Sequence, residues 1–433
     1  LLTLAAAAIY SCSDAFDIAQ EGEYVEDIAF RELSDLSLFL TEIYDNVDNE
    51  DIIAFTSVFT DETAIGDENG GQNQAEYRHQ LFSTNGYANS IWLNNYSVIN
   101  YVNRLIAGAD QVILDPESAT FDDDVLEKNR ILAEARTLRA FCTLQLLTFY
   151  STDLTNDSAL GVIILDHVPP TLPNLEQLPR STNLECFNFI NQDLDYANTN
   201  LSASTVPTFV SKAMVLAIRA RMAIYRKHYT EALQYSQEAI AAKTLAGAQG
   251  ANQGLALPAT YPSTWTDESV AELIFTAPRP IGKSGIVNNW FFNTATYDGG
   301  AFLDMGRNLY RDLTQYPTDI RDNSFVGASS LIAPDYATVF DYQNADVIVI
   351  GKYPGTPAQN LPLNNNLKVM RTVEMHYIKA EAQIATGDLE GARTTLNFVR
   401  RIRTAGTTAA SLATPTAASS ANHFPAFTSE TQA

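Results

Sequence analysis

The chain has 433 residues, 46% of them hydrophobic, enough to bury one large core or two modest ones. Its 51 acidic residues against 27 basic ones leave a net charge of −24, a surface that repels phosphate backbones and argues against nucleic acid as a partner. The 20 Tyr, 21 Phe and 3 Trp residues suit either an aromatic-rich core or a wet face on which sugar rings stack.

The first apolar run, Leu1 to Ile9, is far short of the roughly 20 residues that span a membrane. It leads into Tyr10-Ser11-Cys12-Ser13-Asp14, the shape of a signal-peptide apolar region before a lipidated cysteine. Residues 1–11 are therefore expected to be a signal-peptide remnant and Cys12 an acylated anchor. The alternative is a buried N-terminal strand or helix start carrying an incidental cysteine. Cys142 and Cys186 sit inside apolar helical patterns and read as buried free thiols.

An acidic leader from Ser13 to about Glu26 precedes the first amphipathic helix. There Phe30, Leu33, Leu36, Leu40, Ile43, Tyr44 and Val47 share one face. Asp67 to Gln74 is a loop by its turn chemistry, and further helices are expected over 91–106 and 126–150. Thr182-x-x-Glu185 is a capping box that opens a helix running to Leu201.

Two segments have the small-residue pattern of tetratricopeptide-like helix pairs. One carries Ala213, Ala217, Ala220, Ala232 and Ala239; the other carries Ala380, Gly387, Ala392 and Val399. Between them the sequence is loop-rich, with strand signals only at Glu272 to Thr276 and Asp346 to Ile350. We expect a mainly α fold in a single domain, 12–433. Its helical scaffold covers 27–245 and 367–403, its loop-rich insert 246–366 and its Ala/Thr/Ser-rich tail 404–433.

Enzyme and metal signatures fail. Gly282-Lys283-Ser284 resembles the end of a phosphate-binding loop, but Ala277 stands where the leading Gly belongs and Pro278 and Pro280 interrupt it. The five histidines lack a partner at metal-ligand spacing, and His376 reads as structural. The calcium-like start at Asp67-x-Asn69 has Gln72 where that loop needs Gly. No catalytic residue, metal or cofactor is assigned.

Several segments in order resemble the SusD/RagB family over nearly the whole chain. They are Cys12 to Phe30; Trp92, Tyr96, Ile99 and Asn103; Glu134-Ala-Arg-x-Leu-Arg139-Ala-Phe141; Gly161 to Pro169; Arg180 to Leu201; Ser211 to Ile240; Glu272 to Phe275; and Met370 to Ala382 with Leu396, Asn397, Arg400 and Arg403. The motif residues are mostly scaffold: Trp92 and Tyr96 share a helix face, while Arg136, Arg139, Glu134, Arg371 and Glu381 are expected to pair between helices. The family's usual segment after the last repeat is not found before Ala433, so the chain is expected to be truncated or naturally short there.

The resemblance implies a lipid-anchored cell-surface protein of the outer membrane, without catalysis. It would capture a glycan or another nutrient oligomer for a SusC-like TonB-dependent transporter, with outer-membrane lipid holding the acylated Cys12. A secreted glycan-degrading enzyme and a repeat-based protein–protein adaptor are the competing readings. Ligand contacts are expected from Trp290, Phe292 and Tyr297, in a segment with neither helical nor alternating spacing, and from Asp67, Asn73 and Arg78. The alternative for Trp290 and Phe291 is that they pin the insert onto the helices. Trp265 is expected to be buried. Ligands should be neutral or weakly charged, with salt-tolerant binding.

Overall fold

The seven apolar residues predicted to share one face of the first helix, from Phe30 to Val47, all lie in or against the main core. The computed structural model describes residues 30–66, 69–169, 176–246, 252–279, 302–314, 318–328, 330–332, 347–356, 361–362 and 365–404. In chain order it forms α1 (Leu33–Asn46), α2 (Glu50–Val58), β1 (Thr63–Ile65), α3 (Gln74–Tyr77), α4 (Gly86–Ala109), α5 (Phe121–Tyr150), α6 (Asn183–Asn200), α7 (Lys212–Tyr225) and α8 (Tyr229–Ala246). The loop-rich part adds α9 (Tyr261–Trp265), β2 (Leu273–Ala277), β3 (Leu303–Met305), α10 (Arg307–Thr314), α11 (Asp322–Phe325), β4 (Gly355–Thr356) and β5 (Leu361–Pro362). The chain then returns through β6 (Leu367–Arg371) to α12 (Thr372–Ala385) and α13 (Leu389–Thr404). The protein is mainly α, as expected, and among the described residues no helix is long and apolar enough to cross a membrane.

The repeats explain how distant segments meet. Ala213, Ala217 and Ala220 on α7, and Ala232 and Ala239 on α8, are all buried, so the two helix backbones approach closely. Ala380, Ala392 and Val399 do the same for α12 and α13, joined at Gly387, whose φ of 84° is cheap only for glycine. α12 packs on α8, so the second pair continues the stack that the first begins and the insert loops out between them. The chain re-enters through β6, which pairs antiparallel with β2 with Leu273 opposite Arg371.

Polar networks hold the helices in register. Thr182 and Glu185 form the predicted capping box. Arg139 makes a two-pronged pair with Asp193 at 2.7 and 2.8 Å, and Arg136 joins the same carboxylate at 3.1 Å. Glu134 accepts from Tyr44 Oη at 2.6 Å and pairs with Arg130. Arg371 reaches Glu272 at 3.2 Å. Glu381 departs from expectation: it is exposed, and among the described residues it has no cationic partner, because its side chain lies on the solvent side of α12. Cys142 and Cys186 are buried free thiols. His376 is buried, its Nε2 donating to the Gln253 carbonyl at 3.1 Å, and burial depresses its pKa to about 4.

The insert is less strand-like than the sequence signals. Glu272 to Thr276 is nearly β2, but of Asp346 to Ile350 the described residues make only isolated bridges, Leu331 to Val347 and Val326 to Ile350. Three short helices, α9, α10 and α11, occupy ground predicted to be loop. Their apolar residues are too few to show a period, and Tyr261, Trp265 and Leu313 are buried by tertiary contact instead.

Candidate functional site

Three-residue strands build a broad cleft among the described residues. β1 and β3 pair antiparallel, Thr63 opposite Met305 and Ile65 opposite Leu303. The chain leaves β3 at Gly306, whose N–H donates to the Glu62 carbonyl at 2.8 Å. A Cβ there would lie 2.4 Å from the Asp61 carbonyl oxygen, so only glycine allows this approach. α10 starts immediately afterwards and brings Arg307 and Asn308 to the cleft edge.

The facing wall is the turn around α3. Asn73 and His79 both adopt φ of 57°, and Gly71 follows Gly70 with φ of 96° and 63°. Backbone bonds close the turn, Tyr77 N to Asn73 O at 2.9 Å and Gln80 N to Ala75 O at 2.8 Å. Asn85 Nδ2 donates to Glu76 at 2.8 Å, and the His79 ring stands edge-on to Phe59 with centroids 5.0 Å apart. The backbone that carries Tyr77, Arg78 and His79 is thereby ordered by the turn itself.

The resulting cleft has a volume of about 1000 Å³. It is lined by Tyr77, Arg78 and His79 on one side and by Asp304, Arg307 and Asn308 on the other, with Asp61 between. Tyr77 is 37% exposed, so its ring has a free face. Its lining sets flat rings beside carboxylate, guanidinium and amide groups, side chains able to stack on apolar faces and to hydrogen-bond hydroxyls.

Of the predicted contact residues, Arg78 lines this cleft. Asn73 does not: its amide donates to Tyr87 Oη at 3.2 Å and holds the turn on α4. Burial lifts the pKa of that Tyr87 hydroxyl well above the ordinary tyrosine value. Asp67, Trp290, Phe292, Tyr297 and Cys12 lie outside the described residues. Trp265 is buried, as expected. Sequence reasoning missed Asp61, Tyr77, His79, Asp304, Arg307 and Asn308. The turn glycines around residue 70 mark one wall, but no local signal marks the other.

No family model and no curated protein matches the sequence. Solved structures do match the fold. A SusD superfamily protein from Bacteroides thetaiotaomicron aligns with a TM-score of 0.68 at 20% identity, covering 88% of this chain and 83% of its own. A SusD-like carbohydrate binding protein from Bacteroides vulgatus aligns at 0.65 and 19% identity, over 88% and 77% of the two chains. Surface glycan-binding protein A from Bacteroides fluxus aligns at 0.63 and 16% identity, over 90% and 84%. The chain has the SusD-like fold.

Proposed function

We propose that this protein is a member of the SusD/RagB family that binds a glycan at the cell surface and passes it to a TonB-dependent outer-membrane transporter without breaking a bond. The cleft between the α3 turn and the β3–α10 junction carries this reading, because its exposed Tyr77 ring stands among side chains that pair with hydroxyls. The fold likeness to proteins described as carbohydrate-binding and glycan-binding supports it. Trp290, Phe292, Tyr297 and Asp67 remain part of the proposed ligand surface, and Arg78 joins Tyr77 in it.

A glycan array followed by calorimetry on the best ligand tests the reading. Tyr77→Ala is expected to weaken binding by about 1–3 kcal/mol if the ring is a stacking platform, by analogy with aromatic–base stacking. The melting temperature should hardly move, since Tyr77 lies at the surface. Shortened products in the incubated glycan would point instead to the degrading enzyme. Array-wide silence with capture by a folded partner protein would favour the adaptor.

Attachment to the outer membrane is proposed to run through acyl chains on Cys12. In cells lacking the transporter, Cys12→Ala in the full-length precursor is expected to move the protein from the membrane fraction to the soluble one. Unchanged fractionation would remove the anchor from this scheme.

A further inference from the structure

On the other side of the β1–β3 pair is a second, smaller cavity of about 210 Å³, lined by Glu62, Trp265, Phe325, Lys352, Tyr353 and Arg371 among others. The cavities share Thr63 and Met305, so this strand pair separates them. Its walls carry more positive than negative charge, unusual in a chain of net charge −24.

Three cations line it, and two have partners. Lys368 Nζ pairs with Asp267 at 2.5 Å and also donates to the Asn366 carbonyl at 2.8 Å. Arg371 is shared with Glu272 at 3.2 Å and stands over the Trp265 ring, 5.2 Å from its centroid. Among the described residues, Lys352 has neither kind of bond. Its ammonium lies over Phe325 at 4.2 Å and Trp265 at 5.5 Å, and among the described residues no carboxylate is within ion-pair distance. Lys352 is partly buried, and aromatic faces offset the lost hydration of its ammonium only in part.

A donor waits beside it. Trp265 is 4% exposed, and among the described residues its buried Nε1–H has no acceptor. A buried donor without an acceptor is unfavourable, so a lining that combines one with an ammonium lacking an ion-pair partner suits an anionic ligand.

We propose that this cavity binds a small free monocarboxylate of acetate size, held between the Lys352 ammonium and the Trp265 indole N–H with the Arg371 guanidinium alongside. The charge balance selects the monoanion. Glu62 lines the same space and opposes a dianion more strongly, while Arg371 is already partly neutralised by Glu272. This site is separate from the glycan cleft and does not depend on that reading.

Proton linkage gives a distinctive readout. Burial lowers the Lys352 pKa to about 8, with Glu62 opposing the shift and Arg371 adding to it. Lys368, Asp267 and Glu272 are the other charged groups nearby, each already engaged. A bound carboxylate favours charged Lys352, so at about pH 9 binding should draw in a proton and be weaker than at about pH 7.

The test uses the full chain, with acetate replacing chloride at constant ionic strength. Acetate is expected to raise the melting temperature saturably and to alter tryptophan fluorescence, with sulfate doing less. Calorimetric heats near pH 9 should depend on the buffer's ionisation enthalpy. Lys352→Met is expected to weaken acetate binding by about tenfold or more and to abolish the proton uptake. Should that variant fail to fold, Trp265→Phe, which keeps a ring and removes only the N–H donor, carries the test with an expected loss of several-fold. No saturable response in the wild type, undiminished binding in the folded variant, or tighter binding of sulfate than of acetate would overturn the proposal.

Discussion

Glu272→Ala is expected to remove about 3–5 kcal/mol of folding stability, the usual cost of deleting one partner from a buried ion pair. Glu272 is fully buried and holds three parts of the chain at once. Its Oε2 accepts from Arg403 at 2.6 Å and from the Ala256 N–H at 3.0 Å, and its Oε1 accepts from Arg371 at 3.2 Å. Arg403 also donates to the Ala256 carbonyl at 3.1 Å and lies over the Tyr261 ring. Removing the carboxylate leaves two guanidinium groups without their anion, at the point where the insert rejoins the scaffold. Urea unfolding measures the loss, and a change under about 1 kcal/mol would show that water or local rearrangement replaces the carboxylate.

The same residue makes an acid-limb prediction. Burial alone would raise the Glu272 pKa, but Arg403, Arg371 and the Ala256 N–H together bring it below the ordinary glutamate value. A carboxyl with a depressed folded-state pKa contributes stability that is complete above its unfolded value, about 4.3, and disappears as pH falls through the folded value. Wild-type stability should therefore decline below about pH 4–5 more steeply than that of Glu272→Gln, which has no charge to lose there. Parallel acid limbs would assign the decline to other carboxylates.

How much of this was legible follows the range of each interaction. Helical period is local, so α1 was readable from Phe30 to Val47, and the capping box at Thr182 and Glu185 formed as its spacing implied. The alanine pattern of the repeats was readable for the same reason, because small residues are needed wherever two backbones meet. The stacking of α12 on α8 is a tertiary fact, which only the matching pattern of the two pairs hinted at. The cleft was half legible. Turn chemistry around residue 70 exposed the loop that delivers Arg78, whereas Arg307 and Asn308 arrive through a three-residue β-pair that no sequence window contains. Asn73 was read for its polarity; in the structure its amide, at a left-handed position, holds the turn on Tyr87 of α4, a long-range contact that no local signal announces.

The second large effect belongs to the α4–α5–α6 junction. Arg139→Met is expected to cost about 3–5 kcal/mol, again by leaving a buried charge without its main partner. Asp193 is almost wholly buried, and its remaining cation, Arg136, is more exposed and contacts only one oxygen at 3.1 Å. Arg139 also donates to Asn103 Oδ1 at 2.6 Å, and the Asn103 amide donates in turn to the carbonyls of Leu165 and His167. The 165–167 part of the crossover is thus tied to α4 through the Asn103 amide, whose carbonyl Arg139 holds in place. Replacing both members, Arg139→Met with Asp193→Leu, should recover a large part of the loss, because no orphaned carboxylate remains and the one guanidinium that loses it, Arg136, is partly exposed to water. Urea unfolding of the two single variants and the double variant completes the cycle. If the double variant is no more stable than Arg139→Met alone, the attraction within the pair supplies the stability, and the orphaned carboxylate does not account for the loss.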